Sequence, residues 1–356
     1  MRAASEELAV AIVILLSANA SGSSTQALRN SYGGHRRRAA RLQAECGVTG
    51  GCATLDTCND DAYAGNCDAP AQYVCEHQLP GLNVCESPPL DTMLPCWMSS
   101  LDDGLSLSEI SIPGTHDTMA KGSSSCLQSG SGNYIHTQIW SLRTMLDAGV
   151  RALDIRLRHV DDSFTLEHGI VELPYVFDED VRDVLQAFLS ENPTEAVLVF
   201  YQINDLGPST RTPEESLQES LDAYPDLWIA GSTIPTLDEA RGKVVLANDM
   251  AREEQNEYDL ATLGEVSGKK GLVRDFFLES DSAPAAWGAL RLNYFSGTGA
   301  SVYPLTVAAG VRAVFQGTNE VLFEFSGGCL GVTMFNFIGE DAIAHVVAQQ
   351  ARSGVA

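Results

Sequence analysis

From residue 105 onward the chain alternates short apolar runs with amphipathic stretches. Residues 108–117 predict a short strand that runs into a glycine-containing turn. Ile135, Ile139, Leu142 and Leu146 recur at helical spacing, which predicts a helix over 134–148 that Gly149 ends. Residues 150–160 predict a second strand, 164–173 a third and 194–203 an apolar fourth. Helices are expected over 179–190 and 213–224, with a fifth strand over 243–247. Strand and helix alternation of this kind argues for βα units around a parallel sheet, with ligands at the C-terminal ends of the strands.

Alternation within the second strand points to chemistry. Leu153, Ile155 and Leu157 share one face, Asp154 and Arg156 the other. Packing the apolar face on helices sends the carboxylate and the guanidinium into the mouth of the barrel. His168 closes the third strand, on the face of Phe164 and Leu166, and His116 closes the first. Two imidazoles can act as base and acid near neutral pH, and an arginine can stabilise a phosphoryl oxyanion. Each residue alone reads more readily as structural; their joint placement at strand ends argues for a site.

Composition then narrows the partners. The 356 residues are 44% hydrophobic and 19% charged, which excludes wholesale disorder. Twenty-two Lys and Arg against 47 Asp and Glu give a formal charge of −25. That balance excludes nucleic acid as a partner and argues against simple electrostatic adsorption to anionic lipid.

The N-terminal third has a different texture. Residues 8–16 are wholly apolar and are followed by Ala18-Asn19-Ala20, so residues 1–20 read as a secretory signal peptide, too short to be a transmembrane segment. The expected location is extracellular. Residues 21–45 read as a flexible Ser/Gly/Arg-rich tail. Cys46, Cys52, Cys58, Cys67, Cys75, Cys85 and Cys96 then mark residues 46–97 as a small disulfide-rich segment. Zinc is disfavoured, because no CxxC pair is present and His77 is the only histidine nearby. Seven is odd, so one cysteine is expected to pair outside, with Cys126 or Cys329. No hydrophobic tail suggests a lipid anchor at the C-terminus.

Three motifs carry a resemblance. Residues 112–118 (Ile-Pro-Gly-Thr-His-Asp-Thr), 149–156 (Gly-Val-Arg-Ala-Leu-Asp-Ile-Arg) and 167–169 (Glu-His-Gly) resemble the X domain of phosphatidylinositol-specific phospholipase C, in its single-domain secreted microbial form. Residues 188–193, 235–237, 241–243 and the strand expected at 331–339 match in consistent order, so the resemblance covers about residues 98–350. It implies an α/β fold, a distorted TIM-type (β/α) barrel over 98–356, acting as a monomer on a phospholipid at a membrane surface. His116 would be the base that takes the proton of the inositol 2-hydroxyl. His168, assisted by Asp117, would protonate the departing diacylglycerol oxygen. Arg156, held by Asp154, would neutralise the phosphate, and a cyclic inositol phosphate would form first.

The resemblance also implies that no metal and no cofactor are needed. Calcium-dependent members supply extra oxygen ligands on the second strand, where this chain has the fixed cation of Arg156. Two departures stand out. Asn336 replaces the aspartate that usually supports the base histidine, and an amide cannot stabilise imidazolium by charge. The fourth strand has Gln202 or Ile203 in place of a lysine near the inositol ring. Gln202, Asn204 and Asn248 either face the mouth and bind substrate or are structural caps. Tyr294, Phe295, Tyr303 and Trp287 read as core rather than lipid contacts.

Two other functions compete. A glycerophosphodiesterase or sphingomyelinase D-like lipase would need a Glu-x-Asp metal pair, which Asp154-Ile-Arg156 does not provide. An inactive barrel that binds lipid or glycan is the other, and Asn336 keeps it open.

Overall fold

A computed structural model describes residues 94–121, 132–205, 207–257, 259–281, 288–299, 302–311 and 315–352. The expected signal peptide, tail and most of the cysteine-rich segment lie outside these residues, as do Cys126 and Trp287. Eight parallel strands curl into a barrel: β1 (Ile112–Thr115), β2 (Ala152–Val160), β5 (Ala196–Asp205), β6 (Trp228–Ile229), β7 (Lys243–Leu246), β8 (Arg252–Gln255), β9 (Leu290–Tyr294) and β12 (Val332–Phe335). Their order is β6-β7-β5-β2-β1-β12-β9-β8. β6 takes the edge of β7 that closure would need, so the barrel stays open between β6 and β8 among the described residues. This is the expected distorted (β/α) barrel.

β5 shows why the parallel strands read as unbroken apolar runs. Ala196 to Phe200 are all buried, because helices cover one face and the barrel core the other. Gly114 explains the glycine of the first motif. A Cβ there would lie 2.6 Å from the Met334 sulfur and 2.8 Å from the Ala152 Cβ, so only glycine lets β1 seat between β12 and β2.

Three expectations are corrected. The third strand is a hairpin: β3 (Ser163–His168) runs antiparallel to β2, and β4 (Val171–Val176) pairs antiparallel with β3. Because β5 fills one edge of β2, β1 and β3 share the other and meet end to end. The continuous helix over 134–148 is two, α1 (Gly132–Ile135) and α2 (Leu142–Ala148). Polar demand between them overrides the periodicity. Thr137 N–H donates to the Ala120 carbonyl (3.0 Å), the Thr137 carbonyl accepts from Phe337 N–H (2.6 Å), and Ser141 starts α2 as its N-cap. Last, β12 stops at Phe335 rather than 339, because Phe337 takes a positive φ of 51°. β8 and β9 were not legible in the pattern at all.

Leu94, Cys96 and Trp97, which the sequence assigns to the cysteine-rich segment, are buried in the core of the barrel. Trp97 donates its indole N–H to the Gly149 carbonyl (2.9 Å). Cys96 is disulfide-bonded. Cys329 is a free thiol, which removes it as the outside partner, and burial pushes its pKa up.

Candidate active site

The C-terminal ends of β1 and β12 end in tight turns with two left-handed residues. Asp117 has φ 43° and follows His116, and Phe337 follows Asn336. A left-handed residue other than glycine persists only where its surroundings hold it. Asp117 is held from three sides: its N–H donates to Asp154 Oδ2 (3.3 Å), and its carbonyl accepts from Thr137 Oγ1 (2.8 Å) and from Ala120 N–H (2.9 Å).

Around it the two histidines are set symmetrically. His116 donates Nδ1–H to Asn336 Oδ1 (2.9 Å), which leaves Nε2 3.4 Å from Asp117 Oδ2. His168 donates Nδ1–H to the Ile135 carbonyl, which leaves its Nε2 3.1 Å from the same oxygen. A carbonyl oxygen can only accept, so both rings have their Nδ1 proton fixed and their Nε2 free for chemistry. Arg156 closes the cluster. It forks onto Asp154 at 2.8 and 2.7 Å, reaches Asp117 Oδ1 at 3.1 Å and donates to Gln202.

Electrostatics follow from the packing. Burial opposes the charge of Asp117, yet His116, His168 and Arg156 outweigh it and hold the carboxyl below its ordinary value. Burial likewise opposes the charge of Arg156, and Asp154 and Asp117 overcome it, raising its pKa. His116, Asp117 and Asp154 offer three ligand atoms within 4.8 Å of one another. Both carboxylates already hold the Arg156 guanidinium, however, and a hard divalent cation wants six or more oxygens. These residues do not fit such an ion.

His116, Asp117, Asp154, Arg156, His168 and Asn336 thus come together as expected, but His168 arrives on a returning strand. Gln202 reaches the cluster through Arg156. Asn204 faces the same way and donates to Glu167. Asn248 does not belong to the site: its amide bonds the Tyr201 backbone N–H (2.9 Å) and carbonyl (2.7 Å), which makes it a strand clamp. Tyr294 and Phe295 are buried, as the core reading expected.

Three participants were missed. Gln138 donates to the His116 carbonyl (3.0 Å) and the Phe335 carbonyl (2.9 Å), tying the two strand ends together. His136 is buried beside His168; burial, with a smaller contribution from His168, pushes its pKa down to about 4, so it stays neutral. Both were hidden inside the apparent helix over 134–148. Tyr294 meets the His116 ring edge-on at 5.9 Å, a contact that no short-range pattern reveals.

Known proteins resemble this chain in part of its sequence and in its fold. No family model matches the chain. The 1-phosphatidylinositol phosphodiesterase of Staphylococcus aureus is 35% identical over 161 residues, covering 43% of this chain and 50% of that protein. The enzyme of the same name from Listeria monocytogenes is 31% identical over 159 residues, covering 43% and 48%. The chain therefore spans about half the length of the curated relatives it matches. Among solved structures, a mutant phosphatidylinositol-specific phospholipase C from S. aureus superposes with TM-score 0.61 at 22% identity, covering 72% of this chain and 97% of that one. Its L. monocytogenes counterpart gives 0.59 at 24%, covering 72% and 98%.

The chain is thus similar over part of its length to 1-phosphatidylinositol phosphodiesterases and shares the barrel fold of the phosphatidylinositol-specific phospholipase C structures.

Proposed function

We propose that the protein is a phosphodiesterase that cleaves phosphatidylinositol-type lipids to diacylglycerol and a cyclic inositol phosphate without a metal. One observation carries this reading: two imidazole Nε2 atoms face one oxygen of a carboxylate whose other oxygen a forked arginine holds. His116, with Nδ1–H fixed by Asn336, takes the proton of the inositol 2-hydroxyl at Nε2. That oxygen forms a bond to phosphorus as the bond from phosphorus to the glycerol oxygen breaks. His168 passes its Nε2 proton to the departing diacylglycerol oxygen, and Asp117 stabilises the imidazolium beforehand. Arg156 balances the charge that grows on the phosphate oxygens.

The metal-bound alternative is disfavoured because Arg156 occupies the carboxylates such an ion would need. We also propose an extracellular setting, supported by the apolar run at 8–16 and the disulfide at Cys96. The test is diacylglycerol release from phosphatidylinositol vesicles by purified full-length protein with EDTA present. Steady release is expected. No release, with or without calcium, would favour an inactive barrel that only binds lipid or glycan.

A further inference from the structure

The strands that carry His116 and Asn336 leave the sheet at the same level. β1 and β12 pair in register as far as Thr115 and Phe335. One more ladder bond follows, from His116 N–H to the Phe335 carbonyl (2.9 Å). Beyond it Asp117 and Phe337 take positive φ, and both chains turn away. His116 and Asn336 therefore sit where backbone pairing stops, yet their side chains have to meet for Nδ1–H to reach Oδ1 (2.9 Å). A ladder aligns only the residues within it, so these two need another tie.

Gln138 supplies that tie. It comes from the stretch between α1 and α2, is buried, and spends both protons of Nε2 on the two strands. One goes to the His116 carbonyl (3.0 Å) and the other to the Phe335 carbonyl (2.9 Å), one residue before Asn336. A parallel bridge to Lys121 fixes its own backbone. Thr137 braces the same two turns, with Oγ1–H on the Asp117 carbonyl (2.8 Å) and its carbonyl on Phe337 N–H (2.6 Å). The bonds of the Gln138 amide go to main-chain carbonyls, so its effect on chemistry passes through the backbone of His116 and Asn336. Asn336 makes that effect matter. A neutral amide holds the imidazole by geometry alone, and such a bond weakens steeply once distance and angle slip.

We propose that Gln138 is a positioning residue for the base of the proposed reaction: by bridging the ends of β1 and β12 it sets the His116–Asn336 bond, and with it the tautomer that leaves Nε2 free. This rests on the reading of His116 as the base and adds what aligns it. Gln138→Met keeps the volume and removes both donors. In the full chain without substrate, nitrogen-15 NMR of the histidine rings should show His116 as the single Nδ1–H tautomer in the parent and as a mixture in Gln138→Met. Turnover of phosphatidylinositol should show kcat falling about ten- to a hundredfold with KM changed by about twofold at most, the scale of a small misplacement of a catalytic group. In an Asn336→Ala background the same substitution should cost about twofold or less, since the bond it serves is already gone. Gln138→Glu has the same shape and, when protonated, regains one of the two bonds, so it should lose less than Gln138→Met; it also carries the test should Gln138→Met not fold. An unchanged tautomer, an unchanged kcat, or an equal loss in both backgrounds would overturn the proposal and leave Gln138 a structural clamp. The ring spectrum is read without turnover, so the two proposals fail separately. A Gln138-dependent tautomer in a protein that cleaves no phosphatidylinositol would sink the activity alone, and cleavage that Gln138→Met leaves intact would sink the positioning alone.

Discussion

The segment that carries β2 has a fully buried arginine just before the strand and a partly exposed one within it, and the two are put to opposite uses. Arg151 and Glu195 are both fully buried, paired at 2.9 Å. Every donor of Arg151 is used: Nη1 on the Leu146 and Val150 carbonyls, Nη2 on those of Leu94 and Pro95, Nε on Glu195. Its guanidinium also stacks on the Phe188 ring at 4.6 Å. Arg156, five residues on, keeps 26% of its side chain exposed and binds carboxylates that two histidines also face. A closed pair has no donor to spare and no room for a ligand; an open one can be reached. The difference between structural and chemical use therefore lies in what is left unsatisfied, not in residue type.

The comparison breaks first at the histidines. His116→Ala and His168→Ala should each lower phosphatidylinositol turnover by about a hundredfold or more, the scale of losing a general base or acid. Circular dichroism should show both still folded. Loss of the fold, or near-normal turnover, would assign the histidines to structure.

Arg151 should behave in the opposite way. Arg151→Met strands Glu195 in the core and should cost about 3–5 kcal/mol in urea unfolding, while turnover per folded molecule is kept. Replacing both partners, with Glu195→Leu added, should recover much of that loss, because no uncompensated charge is left. If the double variant is no more stable than the single one, the pair is not the closed unit described above.

These two arginines also show what could be read from the chain alone. Strict alternation in β2 identified Asp154 and Arg156 as inward-facing. Arg151 lies just before the strand, where alternation has no force, and its partners at residues 94, 95 and 195 are distant in sequence. His168 was expected beside the other candidate residues and lies there, although its strand runs in the opposite direction. The turn at Asp161 and Asp162 and the antiparallel return of β3 bring it back beside Asp117. Gln138 and His136 were concealed because Ile135 and Ile139 mimic a helix, while tertiary hydrogen bonds from Thr137 and Gln138 hold that stretch open.

A smaller effect concerns acid. The carboxyl of Asp117 sits below its ordinary value when folded and returns to it on unfolding. Its contribution to stability is therefore present above the ordinary carboxylate pKa of about 4 and is lost as pH falls through the lower folded value. Asp117→Asn should flatten the acid limb of stability against pH, measured by urea midpoints. An unchanged limb would mean that the charge cluster does not stabilise the fold.

The smallest expected change is at Asn336. Asn336→Asp adds a charge against His116 Nδ1, which should move the acid limb of the pH–rate profile to higher pH and raise the maximal rate. No movement would show that Asn336 only orients the ring.

The most direct measurement follows the first product by phosphorus NMR, with phosphatidylinositol vesicles, EDTA and the full chain. A two-histidine mechanism with an internal nucleophile predicts a cyclic phosphodiester that appears first, free of any metal requirement. A linear inositol phosphate with no cyclic precursor, or turnover that appears only on adding calcium, would contradict it.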